Sequence, residues 1–301
     1  MIQMRRILCP IDFSDVARRA LEHAVALGRW YEAEVTLVHV VPFVPSTATF
    51  PPGISPLTLE PVSHERFVEE LNRFAEPVVG AGRRSDVVVR DGNTAAEILD
   101  VAKALPADLV VMGTHGRGGF ERLVLGSVAE KVLRKASCPV LTVPPPAEET
   151  PAGAPALFER ILCPVDFSPS SMRALDYALS IAEEAKASLT LLHVVEWSPD
   201  DEVREHRHFN VPEYRRYLEE EARGMLRSAV PEEARLWCET REIVSVGKPR
   251  QEIQRIARES GAHLIVMGVH GRGAVDLMLF GSTTHHVIRE SRCPVLTIRD
   301  R

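Results

Sequence analysis

Arg6-Ile-Leu-Cys-Pro-Ile-Asp-Phe-Ser14 opens the chain, and Arg160-Ile-Leu-Cys-Pro-Val-Asp-Phe-Ser168 repeats it 154 residues later. Working outward, Val35-Thr-Leu-Val-His-Val-Val41 returns as Leu189-Thr-Leu-Leu-His-Val-Val195 at the same offset. Further on the offset becomes 155: Val111-Met-Gly-Thr-His-Gly-Arg-Gly118 returns as Val266-Met-Gly-Val-His-Gly-Arg-Gly273, and Cys138-Pro-Val-Leu-Thr142 as Cys293-Pro-Val-Leu-Thr297. A period of this length is far above that of a solenoid unit, so it marks two copies of a whole domain. Pro144-Pro-Pro-Ala-Glu-Glu-Thr-Pro-Ala-Gly-Ala-Pro155 joins them and carries no periodicity; it reads as an extended, semi-rigid linker. The expected organisation is domain one over 1–145, a linker over 146–156 and domain two over 157–301.

Each copy alternates short apolar runs with helical patterns. Ile7–Ile11 reads as a strand buried on both faces. Ser14 is placed as an N-cap, and Ser168-Pro169 sets proline at the first helical position, where its missing N–H costs nothing. Val35–Val41 is a second strand. A Pro-rich stretch, Pro42–Pro61, leads to a helix around Glu65–Val79. Then come a strand at Val87–Arg90, a helix at Thr94–Ala104, a strand at Leu109–Met112, a helix at Ser127–Lys135 and a strand at Val140–Val143. This alternation predicts an α/β fold, with two tandem domains that are each a mainly parallel five-stranded sheet flanked by helices. Such sheets bind ligands beyond the C-terminal strand ends, where the strand order reverses.

Composition narrows the function classes. The 301 residues are 26% charged and 45% hydrophobic, which excludes disordered and collagen-like chains. No run of about 18 apolar residues occurs, so no membrane span is expected. The apolar run Ile7–Cys9 is too short for a signal-peptide core. A net charge of −6 gives no overall basic footprint for nucleic acid. The five cysteines, Cys9, Cys138, Cys163, Cys238 and Cys293, form no Cys-x-x-Cys pair and read as reduced thiols of a cytoplasmic protein.

The segment after the fourth strand carries the chemistry. Gly113-Thr-His-Gly116 follows Val110-Val-Met directly, and Gly126-Ser127 opens the next helix; Gly268-Val-His-Gly271 and Gly281-Ser282 repeat the spacing. Glycines at a strand end let backbone approach a ligand closely, and N–H groups there form an anion-binding concavity. A helix N-terminus adds donors and partial positive charge, and Arg117 and Arg272 supply charge-assisted donors. Ser127 is read as a cap, with Glu130 completing a Ser-x-x-Glu box. The plainer reading of Gly-x-x-Gly is a tight turn. Asp12 and Asp166 end their first strands and suit a ribose hydroxyl or an exocyclic amine, although a carboxylate near a helix start is favoured by the dipole alone.

Gly-x-x-Gly-x9-Gly-Ser after an apolar strand, together with a Pro-x-Asp-x-Ser first strand, resembles the universal stress protein family, here in a tandem form covering both halves. The resemblance implies Rossmann-like sheets of order 3-2-1-4-5. It also implies ATP, with or without Mg2+, in the crevice of each domain. It places Asp12 and Asp166, beside Pro10 and Pro164, on the adenosine, and Val40 and Val194 on the adenine. Gly113, Thr114, His115, Gly116, Arg117, Gly118, Gly119, Gly126, Ser127 and Val128 would wrap the phosphates in copy one. Gly268, Val269, His270, Gly271, Arg272, Gly273, Gly281, Ser282 and Thr283 would do so in copy two. It further implies fifth strands that pair within the chain, with a homodimer and a protein partner as further associations.

Three candidate functions come from different classes. The leading one is a nucleotide-binding regulatory protein. The second is an enzyme of slow ATP hydrolysis or nucleotidyl transfer, although no Gly-x-x-x-x-Gly-Lys-Ser/Thr loop, Ser-Gly-Gly-x-Asp-Ser or His-x-Gly-His is present. The third is a nucleotide-free interaction module using the Pro42–Pro61 stretch. His39, His193, His115 and His270 recur symmetrically but lack further ligands for a metal, and the paired cysteines read as small core residues.

Overall fold

The computed structural model describes residues 2–42, 63–80, 86–116, 125–145, 158–196, 211–269 and 281–299. Domain one runs β1 (Arg6–Pro10), α1 (Asp15–Trp30), β2 (Glu34–Pro42), α2 (His64–Val79), β3 (Asp86–Gly92), α3 (Thr94–Ala104), β4 (Leu109–Gly113), α4 (Ser127–Lys135) and β5 (Val140–Val143). Domain two runs β6 (Arg160–Pro164), α5 (Pro169–Ala185), β7 (Ser188–Glu196), α6 (Val211–Ala229), a 3-10 turn (Glu232–Leu236), β8 (Thr240–Gly247), α7 (Pro249–Glu259), β9 (Leu264–Gly268), α8 (Ser282–Glu290) and β10 (Val295–Ile298).

The strands form one ten-stranded sheet in the order β3-β2-β1-β4-β5-β10-β9-β6-β7-β8. Within each half every pairing is parallel, as helical crossovers require. The halves meet where β10 pairs antiparallel with β5, with Leu296 opposite Leu141. Side chains alternate across the sheet. Ile7 and Cys9 enter one apolar layer with Leu109 and Val111, while Leu8 enters the other with Val110 and Met112. Ile161, Cys163 and Leu162 repeat this in β6. Cys9 and Cys163 are fully buried, and burial pushes both thiols well above their ordinary range.

Ser14 Oγ accepts from the Ala17 amide at 3.1 Å, Ser168 Oγ from Ser171 at 3.3 Å and Asn93 Oδ1 from Ala96 at 3.2 Å, fixing the starts of α1, α5 and α3. The expected Ser127 cap is corrected. Gly126 is the N-cap, Ser127 is the first helical residue, and no side chain caps the helix; α8 does the same with Gly281 and Ser282. The glycine amides are already committed to the preceding segment, Gly126 N donating to Thr114 O at 2.8 Å and Gly281 N to Val269 O at 3.1 Å. The chain therefore enters the helix one residue earlier than a serine cap requires. Glu130 forms no box; its amide makes the helix's first internal bond, to Gly126 O. The Pro42–Pro61 stretch beyond Pro42 and the 146–156 linker lie outside the described residues.

Candidate functional site

The crevice lies where the strand order reverses, between the ends of β1 and β4 and of β6 and β9. At its first wall an aspartate is held by a tight local turn. Asp12 Oδ1 accepts from the Ser14 amide at 3.0 Å and the Ser14 hydroxyl at 2.6 Å, with Phe13 between them at φ 63°. Asp166 and Ser168 repeat both bonds at 3.0 and 2.6 Å, around Phe167 at φ 61°. This left-handed conformation is uncommon for a non-glycine residue and costs free energy that the surrounding packing must supply. Phe13 is clamped against His39 at 4.8 Å and Phe74 at 5.6 Å. His39 in turn donates Nδ1–H to the Ile11 carbonyl at 2.7 Å, and His193 donates to Val165 at the same distance. These histidines tie the end of β2 or β7 to the residue that precedes the aspartate. Among the described residues no group of histidine, cysteine and carboxylate suits a metal.

The glycines form the second wall. A Cβ on Gly116 would stand 2.7 Å from Asp12 Oδ2, so the loop rests against the aspartate only because no side chain intervenes. A Cβ on Gly126 would stand 2.9 Å from Thr114 O, and one on Gly281 2.7 Å from Val269 O. Gly116, Gly126 and Asp12 are thus brought close together beyond the ends of β1 and β4. His115 Nδ1 lies 2.9 Å from Thr114 Oγ1, and its Nε2 is buried with no hydrogen-bond partner among the described residues. Ser127, Val128, Ser282 and Thr283 form first turns that present uncapped N–H groups and the positive end of the helix dipole.

In domain two these elements surround a cavity of about 1010 Å³. Pro164, Asp166, Val194, Gly268, Gly281, Ser282 and Thr283, all expected from sequence, line it. Val269 and Thr114 are 1% and 3% exposed, and their carbonyls hold the capping glycines. The copies exchange a hydroxyl here. Thr114 Oγ1 bonds Val143 O at 3.4 Å, whereas in copy two Thr284 Oγ1 bonds Gly268 O at 3.0 Å. Gly113 packs on Val16, Pro10 is the last residue of β1, and Val40 is buried near the end of β2. Arg117, Gly118, Gly119, His270, Gly271, Arg272 and Gly273 lie outside the described residues.

Sequence reading missed Phe13 and Phe167, whose conformation depends on tertiary packing. It also missed the locking role of Ser14 and Ser168, although Asp-x-Ser before a helix is the signature of such a turn. Pro249, Ile253 and Met267, which complete the apolar wall, carry no local signal beyond ordinary core hydrophobicity.

The fold and crevice define a tandem pair of doubly wound, Rossmann-like α/β domains with a glycine segment at each switch point. The universal stress protein family profile matches residues 4–144 and again 157–299, and the chain belongs to that family. A universal stress protein of Methanocaldococcus jannaschii is 37% identical over 145 residues, covering 48% of this chain and 85% of its own length. One from Mycolicibacterium smegmatis is 27% identical over 302 residues, covering 98% of this chain and 97% of its own. The crystal structure of a universal stress protein from Archaeoglobus fulgidus shares the fold across 99% of this chain and 97% of its own, with a TM-score of 0.66 at 24% identity.

Proposed function

We propose that each domain binds ATP or a related adenine nucleotide, and that the protein acts as a nucleotide-responsive regulator in the cytoplasm. The observation that carries this reading is the open cavity of domain two, bounded by Asp166, Val194 and the uncapped start of α8 at Gly281–Thr283. The residues suit the ligand. The apolar side of the cavity, with Val194, Ile253 and Met267, accepts a base. Asp166, held by Ser168, accepts hydrogen bonds from a ribose. The first-turn amides of α8, and of α4 in domain one, meet phosphate oxygens. Binding rather than turnover is the reading favoured here, because the sequence carries none of the Gly-x-x-x-x-Gly-Lys-Ser/Thr, Ser-Gly-Gly-x-Asp-Ser and His-x-Gly-His motifs.

Calorimetric titration of nucleotide-stripped protein with ATP tests this. Gly281→Val forces a branched side chain onto Val269 O, and Gly126→Val forces one onto Thr114 O. Each variant is expected to lose one binding equivalent while keeping a native circular dichroism spectrum. Wild-type protein without saturable binding would overturn the proposal.

A further inference from the structure

The two domains differ behind the switch point, on the sheet face covered by α2 in one and α6 in the other. Phe67, Leu71, Phe74 and Ala75 of α2 have the spacing of Leu218, Ala222, Met225 and Leu226 of α6. The burial agrees, with Leu71 and Ala75 inside one domain and Ala222 and Leu226 inside the other. At three of these four positions domain two carries the smaller or more flexible side chain.

In domain one the space is plugged. Phe74 is 8% exposed and meets Phe13 edge-on at 5.6 Å, while Phe67 lies 4.9 Å from His39. Arg18 sits 4.2 Å over the Phe74 ring and donates to the Phe74 carbonyl at 3.2 Å. Domain two keeps the Phe167–His193 pair at 4.9 Å but has Met172 where domain one has Arg18. Leu218, Ala222 and Met225 line the cavity instead of filling it, and Met225 is 41% exposed.

The cavity therefore wraps over the end of β7. Leu192 and Val194 face the α7 side, while His193 and Val195 alternate to the α6 side. On that second side its walls are Phe167, His193, Val195, Leu218, Ala222 and Met225, with Glu221 of α6 also lining it. Apolar walls reward desolvation of an apolar body, methionine adapts to varied shapes, and a carboxylate disfavours an anion.

We propose that domain two carries a second compartment, on the α6 face of the same cavity, for a small ligand with an aromatic or branched alkyl body and no negative charge. Domain one has closed the same compartment with phenylalanine. Nothing in this proposal requires nucleotide to bind.

The test uses the full chain and 4-fluorobenzyl alcohol as probe, followed by fluorine NMR. Wild-type protein is expected to bind one equivalent saturably and to bind 4-fluorobenzoate more weakly. Leu218→Phe with Met225→Phe, which restores the side chains of domain one, is expected to weaken binding by about tenfold or more. Conversely, Phe67→Leu with Phe74→Met is expected to open domain one and add a second equivalent, a readout that survives if the filling variant does not fold. The proposal is overturned if wild-type protein shows no saturable binding or prefers the benzoate. It is equally overturned if a folded filling variant binds unchanged, or if the opened variant, once folded, gains no equivalent.

Discussion

His23 of α1 stacks at 5.2 Å and 3° on Phe158, the first described residue of the second half, and its Nδ1 is buried with no partner among the described residues. Burial, with the nearby Arg19 charge adding to it, pushes its pKa down to about 3. The unfolded chain takes up this proton near the ordinary value of 6.5, and the folded chain only near 3. The stabilising contribution is therefore complete above pH 6.5 and shrinks as pH falls toward 3, by up to about 1.4 kcal/mol per pH unit. Between pH 7 and pH 5, wild-type protein should lose about 2 kcal/mol of urea-unfolding stability that His23→Leu does not lose; parallel losses would contradict the assignment. The thiols give a second expectation at this scale. Cys9 and Cys163 are fully buried, which holds both thiols well above their ordinary range, so neither should react with Ellman's reagent at pH 8 until the chain unfolds. At this scale the sequence reached Asp12, Asp166 and the glycines through their spacing. It did not reach Phe13, because a phenylalanine at φ 63° is chosen by the rings packed around it and not by its neighbours in sequence.

Among the elements, α3 begins and ends where its pattern and its Asn93 cap place it, since both signals are local. The range of α4, Ser127–Lys135, was legible, but the residue that caps it was not. Ser127 has the chemistry of a cap, but the carbonyl of Thr114, brought in by tertiary structure, fixes Gly126 in that place. The consequence is functional, because a helix whose first turn is not satisfied by its own side chain retains donors for an anion. The hydroxyl exchange between Thr114 and Thr284 is also an element-scale device, since each hydroxyl anchors a strand end: Thr114 holds the end of β5 and Thr284 the end of β9. Thr284→Val removes a buried bond to Gly268 O and leaves that acceptor with one partner fewer. It should cost about 1–2 kcal/mol by urea unfolding, far more than Thr283→Val on the cavity side of the same turn. Equal effects would show that the hydroxyl is not structural.

Across the whole molecule, the junction of β5 with β10 turns two sheets into one and removes an exposed edge from each. Thr142 Oγ1 donates to Val295 O at 3.1 Å and Thr297 Oγ1 to Val140 O at 3.0 Å, both from buried side chains. Arg299 donates to the Leu133 carbonyl at 2.7 Å and also to that of Arg134, at the C-terminal end of α4. Tyr31 meets Ser180 at 3.0 Å across the same boundary. With a shared core and shared hydrogen bonds, the halves should unfold in one transition seen alike by circular dichroism and tryptophan fluorescence. Thr142→Asp, which buries a charge in the seam, should split it in two. The resemblance to the family made this join legible, by implying that the fifth strands Val140–Val143 and Val295–Ile298 pair within the chain. The opened compartment beside α6 was not, because it arises from three substitutions whose partners lie on other strands.

The proposed function depends on an adenine nucleotide lodged against backbone amides in both halves. Native mass spectrometry of nucleotide-stripped protein after addition of ATP tests it most directly. The expected result is a mass increase of two nucleotides per chain, falling to one in Gly126→Val or Gly281→Val and to none when both are changed. A chain that stays at its bare mass, or a double variant that still carries two nucleotides, would contradict it.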